Sequence, residues 1–209
     1  MTDLEQKAQQ AHLQIVGTFN IEPTDNLGPS NGRMIMLGPD AEFWPYFTGT
    51  PEYLDGSADP MDRWSERVIS EIASNVGGFA YFPFGGPPYH PFYSWALRTG
   101  RVWASPVSLL VGADMGLNVS FRGAIAVPSD KPAQTAPKPC SDCHQPCKTA
   151  CPVNALTTEG YDVAACKTYL RENPTSDCRT VGCLVRRACP VSRPQLVDHA
   201  QFHMAAFLG

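Results

Sequence analysis

The sequence predicts an α+β protein of two domains: sheet and helices over residues 1–130, then a small cysteine-rich domain over residues 131–209. Uneven composition predicts the division, because all eight cysteines lie between Cys140 and Cys189 and all four tryptophans precede them. Between the two regions stands VPSDKPAQTAPKP (127–139), whose composition is typical of a linker. A chain of 209 residues is long enough for one large domain or two small ones.

The N-terminal domain contains both strand and helix signals. RMIML (33–37) and FAYFPF (79–84) are short apolar runs that predict strands. DPMDRWSERVISEIASNVGG (59–78) predicts an amphipathic helix, because Asp59 can cap it and its apolar residues recur at helical spacing. SLLVGADMGLNVSFRGAIAV (108–127) predicts two strands around the turn GADMG. We therefore expect a sheet with helices packed against it.

The C-terminal domain contains short helical signals around its cysteines. YDVAACKTYLREN (161–173) and VGCLVRRAC (181–189) predict short helices. The tail RPQLVDHAQFHMAAFLG (193–209) predicts a further helix. Its expected inward-facing residues are Leu196, Val197, Ala200, Met204 and Phe207.

The cysteines form two groups, and each group ends in Cys-Pro. The first group has the spacing C-x2-C-x3-C-x3-C-P and consists of Cys140, Cys143, Cys147 and Cys151. The second group is a lone cysteine followed by C-x4-C-x5-C-P and consists of Cys166, Cys178, Cys183 and Cys189. Thiolates are soft ligands for iron and sulfide, and a 4Fe–4S cluster needs one ligand for each iron. Eight thiols in two such groups predict two 4Fe–4S clusters.

The Cys-Pro endings predict which thiols share a cluster. In two-cluster bacterial runs of the form C-x2-C-x2-C-x3-C-P, the cysteine before proline ligates the other cluster. The run in this chain has one additional residue, Pro146. The rule assigns to one cluster Cys140, Cys143, Cys147 and Cys189. It assigns to the other Cys151, Cys166, Cys178 and Cys183.

Zinc and disulfides are the alternative uses of these thiols. Structural zinc is typically held by two CxxC pairs, and this chain has one CxxC, at 140–143. Disulfides persist in oxidising compartments, whereas the N-terminus MTDLEQKAQQAHLQIVG has no apolar signal core. No apolar run is long enough to span a bilayer. We therefore expect a cytoplasmic protein that does not act at a membrane.

Charge and motifs narrow the expected partners. The net charge is −4, which gives no reason to expect a nucleic-acid partner. The sequence has no GxGxxG, P-loop or GxSxG motif, so nucleotide binding and serine hydrolysis are without support. The expected partners are a redox protein or a small-molecule electron acceptor.

The order of the cysteines resembles the iron–sulfur module of epoxyqueuosine reductase and its cobalamin-dependent relatives. The shared order is four cysteines in a run, one on a following helix (ACKTYL), and three more ending in Cys-Pro. The resemblance covers residues 100 to 190. It implies two 4Fe–4S clusters in a bacterial-ferredoxin-like domain, passing electrons toward cobalamin on an upstream domain. That upstream domain is similar to the flavin reductase/nitroreductase-like α/β fold.

One stretch departs from that family. Its members carry an acidic proton donor in a stretch like Val-Asp-Ser-Ala-Pro, and the matching stretch here is VWASP (102–106). Trp103 thus stands where the acid would be. The trailing helical repeats of many members are also missing. Both departures argue that epoxyqueuosine is not the substrate.

A glycine–aromatic stretch, YFPFGGPPYHPFYSW (81–95), is the candidate acceptor site of the N-terminal domain. Its glycines allow a ligand to approach the backbone closely, and its aromatic rings can stack on a planar cofactor such as cobalamin or flavin. The candidate cofactor-binding residues are Tyr81, Gly85, Gly86, Trp103 and Arg122. Two alternatives stay open: the stretch packs on the core, and Arg122 makes a structural ion pair.

Three hypotheses for function follow. The first is a redox enzyme in which the N-terminal domain binds a corrin, a flavin or another acceptor, and the clusters supply single electrons. The second is a non-enzymatic ferredoxin-type electron carrier whose extra domain recognises a partner. The third is a structural or regulatory iron–sulfur protein. The enzyme needs a concave acceptor site, whereas the carrier does not.

Overall fold

The computed structural model describes residues 2–29, 31–129 and 133–209, which fold as an α+β protein with a small antiparallel sheet. The chain divides into two compact units. The first unit is Met1–Arg101 with Ser120–Ala136, and the second is Val102–Val119 with Pro137–Gly209. The segment Val102–Val119, assigned from sequence to the first domain, therefore belongs with the cysteines. Its packing partners are distant in sequence, so no local pattern marks its membership.

The described residues contain the following elements of regular structure. The strands are β1 (Leu13–Asn20), β2 (Gly32–Pro39), β3 (Phe79–Tyr81), β4 (Val102–Ala104), β5 (Leu110–Gly112) and β6 (Gly123–Pro128). The helices are α1 (Asp3–Gln10), α2 (Phe43–Phe47), α3 (Pro51–Leu54), α4 (Pro60–Asn75), α5 (Phe92–Arg98), α6 (Val163–Glu172), α7 (Asp177–Thr180), α8 (Leu184–Arg187) and α9 (Val197–Leu208). Short 3₁₀ turns cover Pro23–Asp25 and Pro146–Thr149.

The first unit is built on an antiparallel sheet in the order β1-β2-β6-β3. Residues 32–38 of the central strand β2 are all buried. A strand buried along its whole length requires cover on both faces of its sheet.

Two glycines identify what covers the faces. A Cβ atom on Gly123 would lie 2.8 Å from Cδ1 of Ile69 in α4, and one on Gly17 would lie 2.6 Å from Cβ of Thr99 after α5. These glycines pair with adjacent residues of β2, and adjacent side chains of a strand point to opposite faces. Helix α4 therefore covers one face, and the end of α5 covers the other.

The predicted long helix is confirmed as α4, which buries Trp64, Val68, Ile69 and Ile72 on one face. Asp59 occupies the N-cap position, but its side chain makes no capping hydrogen bond, so its predicted capping role is wrong. The backbone of Asp59 is left-handed there, at φ 51°. This differs from the extended backbone that a capping side chain normally requires.

The strand predictions are confirmed in part. The run 33–37 lies within β2, whereas only the first three residues of 79–84 form a strand, β3. The stretch 108–127 does contain two strands, β5 and β6, but the prediction that they flank one turn as a hairpin is wrong. Strand β5 pairs with β4, whereas β6 pairs with β2 and β3.

The second unit contains the β4–β5 hairpin and helices α6 to α9. Helices were expected within 161–173, 181–189 and 193–209, and α6, α8 and α9 lie there. On α9, Ala200 and Met204 are buried as expected. Leu196 and Val197 are 49% and 50% exposed, so their predicted inward packing is wrong. They lie at the start of the helix, before its buried face begins.

The predicted linker and the expected lack of membrane spans can be compared with the described residues. Residues 130–132 of the predicted linker lie outside the described residues, and 133–138 have no regular secondary structure. Within the described ranges, every helix is too short or too polar to traverse a lipid bilayer.

Candidate metal centres

The first cysteine set consists of Cys140, Cys143, Cys147 and Cys189, and all four line one cavity of the second unit. The cavity is small, with about 20 Å³ of room for the centres of water molecules, and it is partly open to solvent. Apolar side chains, including Val111 and Leu117, form another part of its wall. A cysteine from the second sequence group thus joins three from the first.

The thiols of this set influence one another electrostatically. Burial raises the pKa of Cys147, and negative charge on Cys189 and Cys140 raises it further. Burial also raises the pKa of Cys140, while the charge of Lys138 lowers it and charge on Cys189 raises it. Such mutual effects require the sulfur atoms to be near neighbours.

The loop between Cys143 and Cys147 directs a backbone amide toward sulfur. Gln145 adopts a left-handed backbone, with φ of 54°, and its N–H donates to the Cys143 Sγ at 3.3 Å. Pro146, the residue additional to the ferredoxin spacing, begins the 3₁₀ turn that buries Cys147. The turn therefore accommodates the longer spacing.

The hairpin segment (Val102–Val119) packs against the cysteines through an apolar cluster. Buried Val107, Val111 and Leu117 lie together with Cys147, and Cys140 and Cys189 pack against this cluster. Polar contacts fix the far end of the segment. They are a 2.9 Å hydrogen bond from the Leu117 N–H to the Ser192 Oγ, and one from the Asn118 amide to the Arg193 carbonyl at 2.8 Å.

The second cysteine set consists of Cys151, Cys166, Cys178 and Cys183. Burial raises the pKa of Cys166 and Cys178, and negative charge on Cys183 and Cys151 raises both further. The Ala155 N–H donates to the Cys151 Sγ at 3.2 Å. Cys166 and Cys183 also pack against the apolar cluster that contains Cys178, whereas Cys151 packs against the cluster around Cys147.

Two polar side chains accompany the second set. Interaction with the Tyr161 hydroxyl lowers the pKa of Cys166, which favours the thiolate. Burial, followed by this interaction, raises the pKa of Tyr161. Arg186 is the third residue of α8, whose N-cap is Cys183, and its guanidinium donates to the Leu117 carbonyl. Sequence reasoning missed both side chains, although the spacing of three residues from Cys183 on a helix was a usable signal.

The two sets are the same fours that the sequence analysis assigned to two clusters, and their role as ligands stays a prediction. Among the described residues, no group of three or more His, Cys, Asp or Glu side chains is arranged to hold a metal ion. A single metal ion requires all of its ligands around one point, whereas each thiolate of a four-iron cluster binds a different iron atom.

The glycine–aromatic stretch makes contacts within itself and with the first unit, and Tyr89 and Tyr93 are exposed. The Tyr81 hydroxyl accepts a hydrogen bond from the Gly28 N–H at 3.2 Å, and its ring meets Trp95 edge-on at 5.9 Å. Gly85 has φ of 80°, with nothing near its missing side chain. A Cβ on Gly86 would lie 2.7 Å from the Tyr89 ring, so this glycine permits a close approach within the loop itself.

The other two predicted cofactor-binding residues have partners of their own. Arg122 forms an ion pair with Asp62 at 3.6 Å, and burial of its guanidinium lowers its pKa. This contact is the structural ion pair that the sequence analysis left open. Trp103 belongs to the second unit and packs against the apolar cluster around Cys147. That all five predicted residues line one cavity stays a prediction.

No protein-family model matches the chain, and no curated protein sequence is significantly similar to it.

Proposed function

We propose that the chain is an iron–sulfur redox protein, in which each cysteine set holds one 4Fe–4S cluster and single electrons pass to an acceptor. One observation carries the proposal: Cys189 of the second sequence group lines one cavity with Cys140, Cys143 and Cys147 of the first. In the other direction, charge on Cys151 of the first group raises the pKa of Cys166 and Cys178 of the second. Each set takes the Cys-Pro cysteine of the other sequence group. That exchange is the arrangement of two-cluster ferredoxin-type runs.

The residues present fit the proposed groups. The donors of each set are thiols alone, which suits iron and sulfide better than hard oxygen-seeking cations. Backbone amides at Gln145 and Ala155 point at sulfur atoms, as they do where thiolates are negatively charged. When bound, a 4Fe–4S cluster supplies one-electron chemistry.

The hairpin segment has a defined role in this proposal. Its buried Val107, Val111 and Leu117 exclude water from one side of the first set. Low polarity and hydrogen bonds near sulfur are the means by which a protein sets the reduction potential of a cluster. The segment therefore helps to determine the potential at the first set.

The first unit is the proposed location of the acceptor, which is a corrin, a flavin or another small molecule. The resemblance to cobalamin-dependent reductases supports this, with a flavin reductase/nitroreductase-like first unit and a bacterial-ferredoxin-like second unit as the proposed fold relationships. In that resemblance Trp103 stands where the acid would be, and its indole N–H is too weak an acid to protonate a substrate. Protons are then taken from solvent or ligand. The proposed compartment is the cytoplasm, where thiols stay reduced.

A second candidate function is a ferredoxin-type electron carrier that uses the first unit to recognise a redox partner. The internal packing of the glycine–aromatic stretch and the Arg122–Asp62 ion pair favour it. Titration of the purified chain with cobalamin and with flavin separates the candidates. Measurable binding of either supports the acceptor site, and Trp103→Ala tests whether that residue takes part. Binding of neither leaves the carrier.

Serine substitutions with EPR spectroscopy of the reduced protein test the proposal. Cys189→Ser and Cys140→Ser are expected to damage the same signal, although 49 positions separate the two residues. Cys178→Ser is expected to damage the other signal and serves as the matched comparison. If Cys189→Ser instead matches Cys178→Ser, each sequence group holds its own cluster and the proposed pairing is wrong.

A further inference from the structure

The second cysteine set has a positive charge in the protein interior. The Arg186 side chain is partly exposed, but its guanidinium is surrounded by protein. Burial lowers the pKa of this guanidinium more than any other effect changes it. Cys183 is the N-cap residue of α8 and Arg186 is the third residue of that helix, and the side chains of these two positions lie near each other at a helix start. The guanidinium also donates to the backbone carbonyl of Leu117. The Leu117 side chain belongs to the apolar cluster against which Cys183 and Tyr161 pack.

This buried cation has no carboxylate partner among the described residues. A buried charge is unfavourable unless a group of opposite charge lies nearby. The neighbour able to carry negative charge is the Cys183 sulfur. A thiolate-ligated cluster at the second set would supply the missing negative charge.

Tyr161 brings a hydroxyl group to the same set, since it packs against the apolar cluster that Cys151 and Cys183 adjoin. Its hydroxyl meets Cys166, and its ring stacks on Phe207 of α9 at 6.2 Å with 12° between the planes. The backbone at Tyr161 is held by a β-bridge to Leu156. The hydroxyl is therefore held in position by its surroundings.

The first set has a different environment. The positive charge near it is on Lys138, which is exposed and so screened by solvent. The Gln145 N–H donates to one of its sulfur atoms, and its wall includes apolar Val111 and Leu117. The cation near the second set is thus buried and the cation near the first is exposed, whereas the apolar cluster around Leu117 adjoins cysteines of both sets.

We propose that Arg186 and Tyr161 are positioning residues that make the second cysteine set the more easily reduced of the two cluster sites. This inference rests on the proposed function. Reduction adds negative charge to a cluster, and a nearby cation and a hydrogen-bond donor to sulfur stabilise that charge. A single electron shared between the two sites then resides mainly at the second set.

An EPR-monitored redox titration of the full chain tests the inference. The signal of the second site is first identified as the one lost in Cys178→Ser. In Arg186→Met, which keeps similar volume without charge, the midpoint of that signal should fall by at least 59 mV, a tenfold change for one electron. The midpoint of the first site should change less. Arg187→Met is the matched control, because Arg187 is the exposed next residue of the same helix, and it should shift neither midpoint.

Two further variants keep the test decisive if Arg186→Met does not fold. Arg186→Lys preserves the charge and should leave the second midpoint close to that of the wild type. Tyr161→Phe removes only the hydroxyl and should lower the second midpoint. The inference is overturned if the second site of the wild-type protein is harder to reduce than the first. It is also overturned if Arg186→Met and Tyr161→Phe shift the midpoint of the second site no more than Arg187→Met does. Wild-type protein without iron and sulfide would overturn the proposed function instead.

Discussion

Replacing Gly116 by alanine is expected to loosen the hairpin segment from the backbone that follows Cys189. Gly116 has a left-handed backbone, with φ of 54°, and a Cβ there would lie 2.4 Å from the Ser192 backbone nitrogen. Backbone atoms cannot rotate away as the end of a side chain can. Alanine therefore forces the segment and Ser192 apart, which breaks the hydrogen bond from Leu117 to the Ser192 hydroxyl.

Two effects lower the free energy of unfolding in Gly116→Ala. A left-handed conformation costs about 1–2 kcal/mol for a residue with a Cβ. Forcing an additional methyl group into packed surroundings typically costs about 1–3 kcal/mol. Together they lower the free energy of unfolding of the second unit by about 2–5 kcal/mol, a large part of the roughly 5–15 kcal/mol typical of a domain.

Hydrogen-exchange mass spectrometry measures this effect locally. A loss of about 2 kcal/mol corresponds to roughly thirtyfold faster exchange in peptides covering 102–119 and 185–195. Gly160→Ala is the matched control in the same unit, because nothing lies within 4 Å of its missing side chain. It should leave exchange nearly unchanged. If Gly116→Ala exchanges no faster than Gly160→Ala, the hairpin segment is not fixed as described.

Two further predictions concern the first unit. Ile69→Ala removes a fully buried side chain between α4 and the sheet, and it should lower the free energy of unfolding of the unit in urea by about 2–5 kcal/mol. Glu66→Ala, on the exposed face of the same helix, should change that free energy by less than about 0.5 kcal/mol. Equal effects of the two substitutions would contradict the packing of α4. Hydrogen bonds from Arg63, then from the Ser57 N–H, lower the pKa of Asp55 from 3.8 to about 2, so their stabilisation is present above pH 3.8 and is lost as the pH falls through about 2. Arg63→Gln should therefore flatten the decline of thermal stability across that window, and an unchanged decline would rule out this pair as a contributor.

The elements predicted from sequence are those whose signals are local. Helix α4 has a continuous apolar face and glycines after its end, and both signals lie within twenty residues. Strand β1 has no such regularity, because a register shift between Ile15 and Gly17 interrupts the alternation that would mark it. The two strands of 108–127 were found, but their partners lie elsewhere in the chain, and periodicity does not specify a partner.

In the candidate metal centres, too, the features with local sequence signals were predicted and those formed by distant residues were not. Cysteine spacing and the two Cys-Pro endings assigned the thiols to two sets of four, since those signals lie within fifty residues of each other. Leu117 and Ser192 are 75 residues apart, and no motif links them. Arg186 and Tyr161 are common residue types whose role depends on where burial places them, so their contribution required the structure.

Iron and acid-labile sulfide analysis after anaerobic purification tests the central claim most directly. Two 4Fe–4S clusters with four thiolates each predict about eight iron and about eight sulfide per chain. Stoichiometric zinc without sulfide would contradict the account, and so would a folded chain that retains neither iron nor sulfide after anaerobic reconstitution.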